Sequence, residues 1–148
     1  MKPVVVEAAV EIRRSPEDVF AYCSDPSREP DWNPMMKRIV KTTDGPIGVG
    51  TRYSAEFGEG PPMVMECVRY DPPTAWSFKG ESRALRADGD GRVEPSSEGA
   101  HLLMRMELEP RGLLTLATPL LRRRMRAMWR RDLDSIKSRL EAGGRGGA

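Results

Sequence analysis

Side chains able to do chemistry are scarce in this chain. His101 is its single histidine, and Cys23 and Cys67 are its two cysteines, far apart in sequence. A structural zinc site takes four Cys/His ligands, and a His₃ catalytic site takes three, so neither can be built here. The cysteines form no CxxC pair and no disulfide framework, which fits a reducing cytoplasm. No metal and no cofactor is expected. Any mechanism relying on imidazole has one candidate. His101 stands at the start of an expected strand, just after a turn, where a histidine is ordinarily exposed.

The remaining candidates depend on which way strands turn them. From His101 to Glu109, Leu102, Met104, Met106 and Leu108 face one way and Arg105, Glu107 and Glu109 the other, so those charges and His101 take the outward parity. Glu66 is likewise opposed to Met65 and Cys67. Tyr53 is then the one inward residue with a titratable proton, and the only weak candidate for a catalytic role. It could orient a ligand by its hydroxyl, although a satisfied core tyrosine is the plainer account. Cys23 and Cys67 fall on apolar faces, where a thiol is buried and inert. Asp31 beside Trp32 suits a helix or turn cap. Gly48-Val49-Gly50 and Gly58-Glu59-Gly60 precede no helix and lack the lysine of a phosphate loop, so both read as hairpin turns.

The elements positioning these residues follow from periodicity. The chain has 148 residues, one domain's worth, with 24 basic and 22 acidic side chains and a net charge of +2. It is not a polycation built for nucleic acid. It contains no apolar run long enough to span a membrane, and its opening apolar run is too short for a signal-peptide core. A cytoplasmic location is therefore expected. Val4, Val6, Ala8, Val10 and Ile12 mark a first strand. Ser15-Pro16-Glu17-Asp18 starts a short helix, with Ser15 as cap and Pro16 in the first turn. Asp25-Pro26 starts a second, broken by Pro30 and Pro34. From Lys37 to Glu109 the pattern is strands with turns, the turns including Asp44 to Gly50, Gly58 to Pro62, Asp71 to Pro73 and Asp88 to Gly91. Serial strands with short connections give an antiparallel meander. From Leu113 to Leu140 the spacing of Leu114, Ala117, Leu121, Met125, Met128, Leu133, Ile136 and Leu140 predicts one long amphipathic helix, with Pro119 in its first turns or kinking it there. Residues 143–148 are expected to be a flexible glycine-rich tail after a single domain, 1–142.

With these residues in this order, the chain resembles the START-like, or SRPBCC, superfamily, and within it the polyketide cyclase/dehydrase and lipid-transport group. The resemblance is carried by Ile12 to Phe20, by Asp31-Trp32-Asn33-Pro34, by Gly45-Pro46 with Gly48-Val49-Gly50-Thr51, by Tyr70-Asp71-Pro72-Pro73, and by the exit Glu107 to Gly112. It covers roughly residues 4 to 140. It implies an α+β helix-grip fold. In that fold a curved antiparallel sheet of about seven strands wraps a long C-terminal helix around a cavity for an apolar ligand, and two short helices follow the first strand.

Within that fold, Tyr53, Phe57, Met63, Met65, Trp76, Phe78, Met104 and Met106 fall on the inward face, and the resemblance sets Trp32 near the cavity mouth. Methionine and aromatic side chains suit an adaptable apolar pocket and equally suit a filled core. The expected function is binding of a small polyketide-, sterol- or lipid-like molecule between sheet and helix, as carrier or sensor. The alternatives are a cyclase, aromatase or dehydratase relying on shape, and a module docking through its last helix. Arg111 to Arg139 holds nine basic and two acidic residues. Arg122, Arg123, Arg126 and Arg130 make a basic surface that either meets an anionic membrane peripherally or is simply solvated, its arginine stems covering apolar neighbours. The expected partner is a small apolar molecule rather than nucleic acid, and the chain is expected to act as monomer or homodimer.

Overall fold

The structure, a computed structural model, describes residues 3–146, with side chains through residue 143. Strand β1 (Val4–Ile12) leads into α1 (Pro16–Cys23). There the Ser15 hydroxyl accepts from the Asp18 backbone N–H at 3.2 Å and Pro16 occupies the first turn, as the capping signal predicts. The second short helix is divided. A 3-10 turn, Pro26–Arg28, is capped by Asp25 and runs into a four-residue α2 (Glu29–Trp32).

Six strands follow: β2 (Met36–Lys41), β3 (Arg52–Phe57), β4 (Met63–Asp71), β5 (Ala75–Glu81), β6 (Leu85–Ser96) and β7 (Gly99–Pro110). All neighbours are antiparallel, and the sheet order is β1-β7-β6-β5-β4-β3-β2, so β1 closes onto the last strand of the meander. A long helix, α3 (Thr118–Gly146), lies against the sheet and packs along β1. Leu133, Ile136 and Leu140 of α3 join Val6, Tyr53, Cys67, Trp76, Phe78, Leu102 and Met104 in one core. This is the helix-grip arrangement.

Three expectations need correction. Asp88 to Gly91 is not a turn but the middle of β6, paired with β5 and β7 without a break. The physical reason is steric. A Cβ on Gly91 would stand 2.1 Å from the Trp76 indole, so only glycine lets that ring cross the strand. The aspartates next to the glycines face outward, where Ser77 Oγ donates to Asp90 at 2.6 Å and Arg86 pairs with Asp88. The actual hairpin turn lies at Ser82, whose hydroxyl accepts from the Ala84 and Leu85 N–H groups.

The second correction concerns the helix start. Gly112–Ala117 is a 3-10 segment, begun by Gly112 at φ +58, and the α-helix begins only at Thr118, with Pro119 in its first turn where no N–H is required. The third is the glycine-rich end: α3 is helical through Gly146, and the rest of the expected tail lies outside the described residues.

α3 is held unevenly. Its C-terminal part is clamped to the end of β1. There Lys137 donates to the Glu11 carbonyl at 2.6 Å, Arg14 donates to the Leu140 carbonyl at 2.6 Å, and the Arg13 N–H donates to Glu141 at 3.0 Å. The Lys137 ammonium and the Arg13 N–H hold the Glu141 carboxyl down at about 2. From Pro119 to Met128 no side chain forms a hydrogen bond or ion pair with the sheet among the described residues.

Candidate functional site

On the concave side of the sheet, β6 presents Ala87, Gly89, Gly91 and Val93, opposite Met106, Met104 and Leu102 of β7 and Phe78 and Trp76 of β5. The two glycines are not equivalent. Trp76 fills the space over Gly91, whereas a Cβ on Gly89 would meet no atom within 4 Å. The interior therefore opens from Gly91 toward Gly89. Met106, Met65, Tyr70 and Met125 are only partly buried where they pack against the core, consistent with walls of a space rather than a filled centre.

Trp32, Tyr53, Trp76, Phe78 and Met104 are buried in the core cluster, and Met65 and Met106 flank it. Met63 is buried against Gly80 rather than in that cluster. Phe57 is half-buried at the sheet end, paired with Met36, and is not a core member. A bulge between Cys67 and Arg69 resets the parity of β4, so Tyr70 as well as Cys67 turns inward. Phe20 packs on Tyr70 and Trp76, with ring centroids 5.4 and 5.5 Å apart, and Tyr53 packs on Phe78 at 6.1 Å.

The buried acidic groups come from the helices. Asp132 on α3 is 2% exposed, and its Oδ1 has no hydrogen-bond partner among the described residues. Burial pushes its carboxyl up to about 6, against the opposing charge of Arg131. Glu29 on α2 lies close enough for the Asp132 charge to act on it. Burial lifts the Glu29 carboxyl to about 7, while the Asn33 amide, donating at 3.0 Å, pulls the other way and Asp132 adds to the rise. Asn33 is itself buried. Its side-chain oxygen accepts from the Met35 N–H at 3.0 Å and its N–H donates to the Glu29 carbonyl, so it fixes the turn from α2 into β2.

Two further buried groups, Tyr53 Oη and Trp32 Nε1, also lack a partner among the described residues. Burial raises the Tyr53 phenol to about 12, so at neutral pH it is a donor and not a base. Cys23 is buried and pushed up to about 12, which leaves it a thiol without nucleophilic character. His101 sits on the outer face beside Glu11, its cross-strand neighbour, with Nδ1 to Oε1 at 2.5 Å, away from the interior. Arg52–Glu66 and Arg105–Glu107 are surface pairs, as outward parity requires.

Asp132, Glu29 and Trp129 are the residues that sequence reasoning misses. The expectation of an interior almost without acids is corrected by the first two. The basic helix residues are not one surface. Arg122 is half-buried, and Arg126 and Arg130 border a groove of about 480 Å³ between α3 and β1, with Trp129, Leu133, Glu7 and Asp134. Arg123 is exposed. No helix among the described residues is long and apolar enough to cross a membrane.

Comparison with known proteins agrees with this architecture. A model of the family described as polyketide cyclase/dehydrase and lipid transport matches residues 3–141. An uncharacterised protein of Mycobacterium bovis is 25% identical over 144 residues, covering 95% of this chain and 86% of its own length. Among solved structures, the Zhui aromatase/cyclase from Streptomyces sp. R1128 superposes with a TM-score of 0.81 at 14% identity, covering 97% of both chains. A START superfamily protein from Mycobacterium smegmatis gives 0.78 at 14% identity, covering 93% of this chain and 97% of that one.

Proposed function

Because the chain belongs to the polyketide cyclase/dehydrase and lipid-transport family, we propose that it binds one small, mainly apolar molecule between sheet and α3, as a carrier or sensor. One observation carries this reading. Beside a core rich in methionine and aromatic side chains, Tyr53 Oη, Trp32 Nε1 and Asp132 Oδ1 are buried with no hydrogen-bond partner among the described residues. A buried polar atom left unpaired costs about 1–3 kcal/mol, so such groups call for a reason. A ligand with a hydroxyl, carbonyl or phenol at one end and an apolar body would pair with them and cover the methionines. The open space beside Gly89 supports the same reading.

The test is thermal unfolding of the full chain with fatty acids, sterols and aromatic polyketides. A ligand at a hundred times its Kd stabilises by about 2.7 kcal/mol, which raises Tm by several degrees. If no compound in any of the three classes shifts Tm, the reading fails.

Asp132 and Glu29 favour a second reading: an enzyme that cyclises or dehydrates a bound chain. Two carboxyls lifted to about 6 and about 7 are poised to exchange protons near neutral pH. Turnover of a poly-β-keto analogue that disappears in Asp132→Asn while binding persists would support it. Binding with no turnover by the wild-type chain would reject it.

A further inference from the structure

We infer that the 3-10 segment before α3 and the outer face of the first turns of α3 form a docking surface for an anionic lipid bilayer. Leu113 and Leu116 are 86% and 81% exposed, and Leu120 is 52% exposed. The three stand within eight residues. Arg123 and Arg124 follow directly, both exposed, and neither has a carboxylate partner among the described residues.

Helical phase assembles these residues. At about 100° per residue, Leu120, Arg123, Arg124, Ala127 and Arg131 share the side of α3 opposite Trp129, Leu133 and Ile136. All five are exposed. The surface thus has an apolar tip and a cationic ridge behind it. That order fits a membrane interface, where leucines enter the acyl boundary and arginines meet anionic headgroups. A nucleic acid would use the arginines and leave the leucines in water. The anchoring of the fold permits it as well. Arg111 ties the base of the segment to the β5–β6 hairpin through the Ala84 and Ser82 carbonyls, and the clamps on α3 lie at its far end, so docking disturbs no bond that holds the helix.

This surface rests on its own residues and does not require the interior to hold a ligand. The experiment is co-sedimentation of the full chain with vesicles of phosphatidylcholine alone and with about one third phosphatidylserine. Binding to the anionic vesicles only is expected, and it weakens as salt rises. Arg123→Glu with Arg124→Glu lowers the partition coefficient by about tenfold or more, since each arginine near such a surface contributes about fivefold. Leu113→Ser with Leu116→Ser lowers it comparably, and because both side chains are already in water, Tm stays at the wild-type value. Failure to bind anionic vesicles overturns the assignment. So does equal binding to both vesicle types. Binding that survives the leucine changes overturns it too, because the arginines would then be answering any polyanion.

Discussion

Trp129 Nε1 donates a hydrogen bond to the carbonyl oxygen of Met104 at 3.1 Å, joining the middle of α3 to the middle of β7 inside the core. It is the described side-chain bond that fixes how far α3 stands from the sheet at this level, and therefore how much space the interior keeps. Trp129→Phe keeps most of the ring but leaves that carbonyl without its indole donor. We expect a loss of about 1–3 kcal/mol, read as a Tm about 5 °C lower. Trp129→Ala adds a cavity and should cost about 3–5 kcal/mol. A Trp129→Phe chain as stable as wild type would mean that packing alone sets the helix.

Gly89 and Gly91 offer a paired test of where the open space lies. Both are inward positions of one strand, two residues apart. Gly91→Ala drives a methyl group into the Trp76 indole, where the contact would be 2.1 Å, so a loss of about 1–3 kcal/mol is expected. Gly89→Ala meets nothing within 4 Å and should be neutral or slightly stabilising, by reducing the freedom of the unfolded chain. Urea denaturation compares them directly. Equal losses at both positions would mean that the interior is filled at Gly89.

The interior acids make stability depend on pH in an unusual sense. Asp132 rises from 3.8 to about 6 and Glu29 from 4.5 to about 7 on folding. A carboxyl raised in the folded state binds its proton more tightly there than in the unfolded chain. Its contribution is therefore fully favourable below about pH 4 and is lost as pH rises through the folded value. Glu141, held at about 2 by Lys137 and the Arg13 N–H, has the opposite sign and withdraws its support only as pH falls below about 4.5. Tm should thus decline between about pH 5 and pH 7.5. Asp132→Asn should flatten that decline, raising Tm at pH 8 by about 3 °C and changing it little at pH 5. A variant with the same pH profile as wild type would show that Asp132 titrates normally.

How much of this can be read beforehand depends on what each position contributes to a pattern. β7 is legible because Leu102, Met104, Met106 and Leu108 keep one parity while Arg105, Glu107 and Glu109 keep the other, with only Leu103 out of pattern. The middle of β6 is illegible because its inward positions there, Gly89 and Gly91, are glycines, which give no hydrophobic period. The Asp-Gly-Asp-Gly run has turn composition, and only the ring of Trp76 on the neighbouring strand explains it. In α3 the difficulty is reversed. Asp132 sits between Arg131 and Leu133 in a dense charge run, so a reading by polarity assigns it to solvent. Its helical phase, three residues after Trp129, turns it inward beside α2. Trp129 itself fits the apolar stripe between Met125 and Leu133, and noticing it would have turned attention to its neighbours. Glu29 could be reached only through the contact of α2 with α3, a relation that spacing along the chain does not contain.

Tyr53 separates stability from recognition. Its ring is 1% exposed and packed on Phe78, while its hydroxyl is buried with no partner among the described residues. Among the described residues that hydroxyl has no hydrogen-bond partner, so Tyr53→Phe keeps the packing on Phe78 and breaks no bond to the protein. Stability should be unchanged or higher by up to about 1 kcal/mol. In a complex with a ligand that accepts from the phenol, the same change removes a bond formed only on binding, and Kd should rise by about five- to tenfold. The measurements are urea denaturation of the ligand-free chains and titration of both with the tightest ligand of the thermal panel. A stabilised variant with weakened binding would mark the hydroxyl as a recognition group. A destabilised variant with unchanged binding would mark it as part of the core, and the polar end of the ligand would then have to be sought at Trp32 and Asp132.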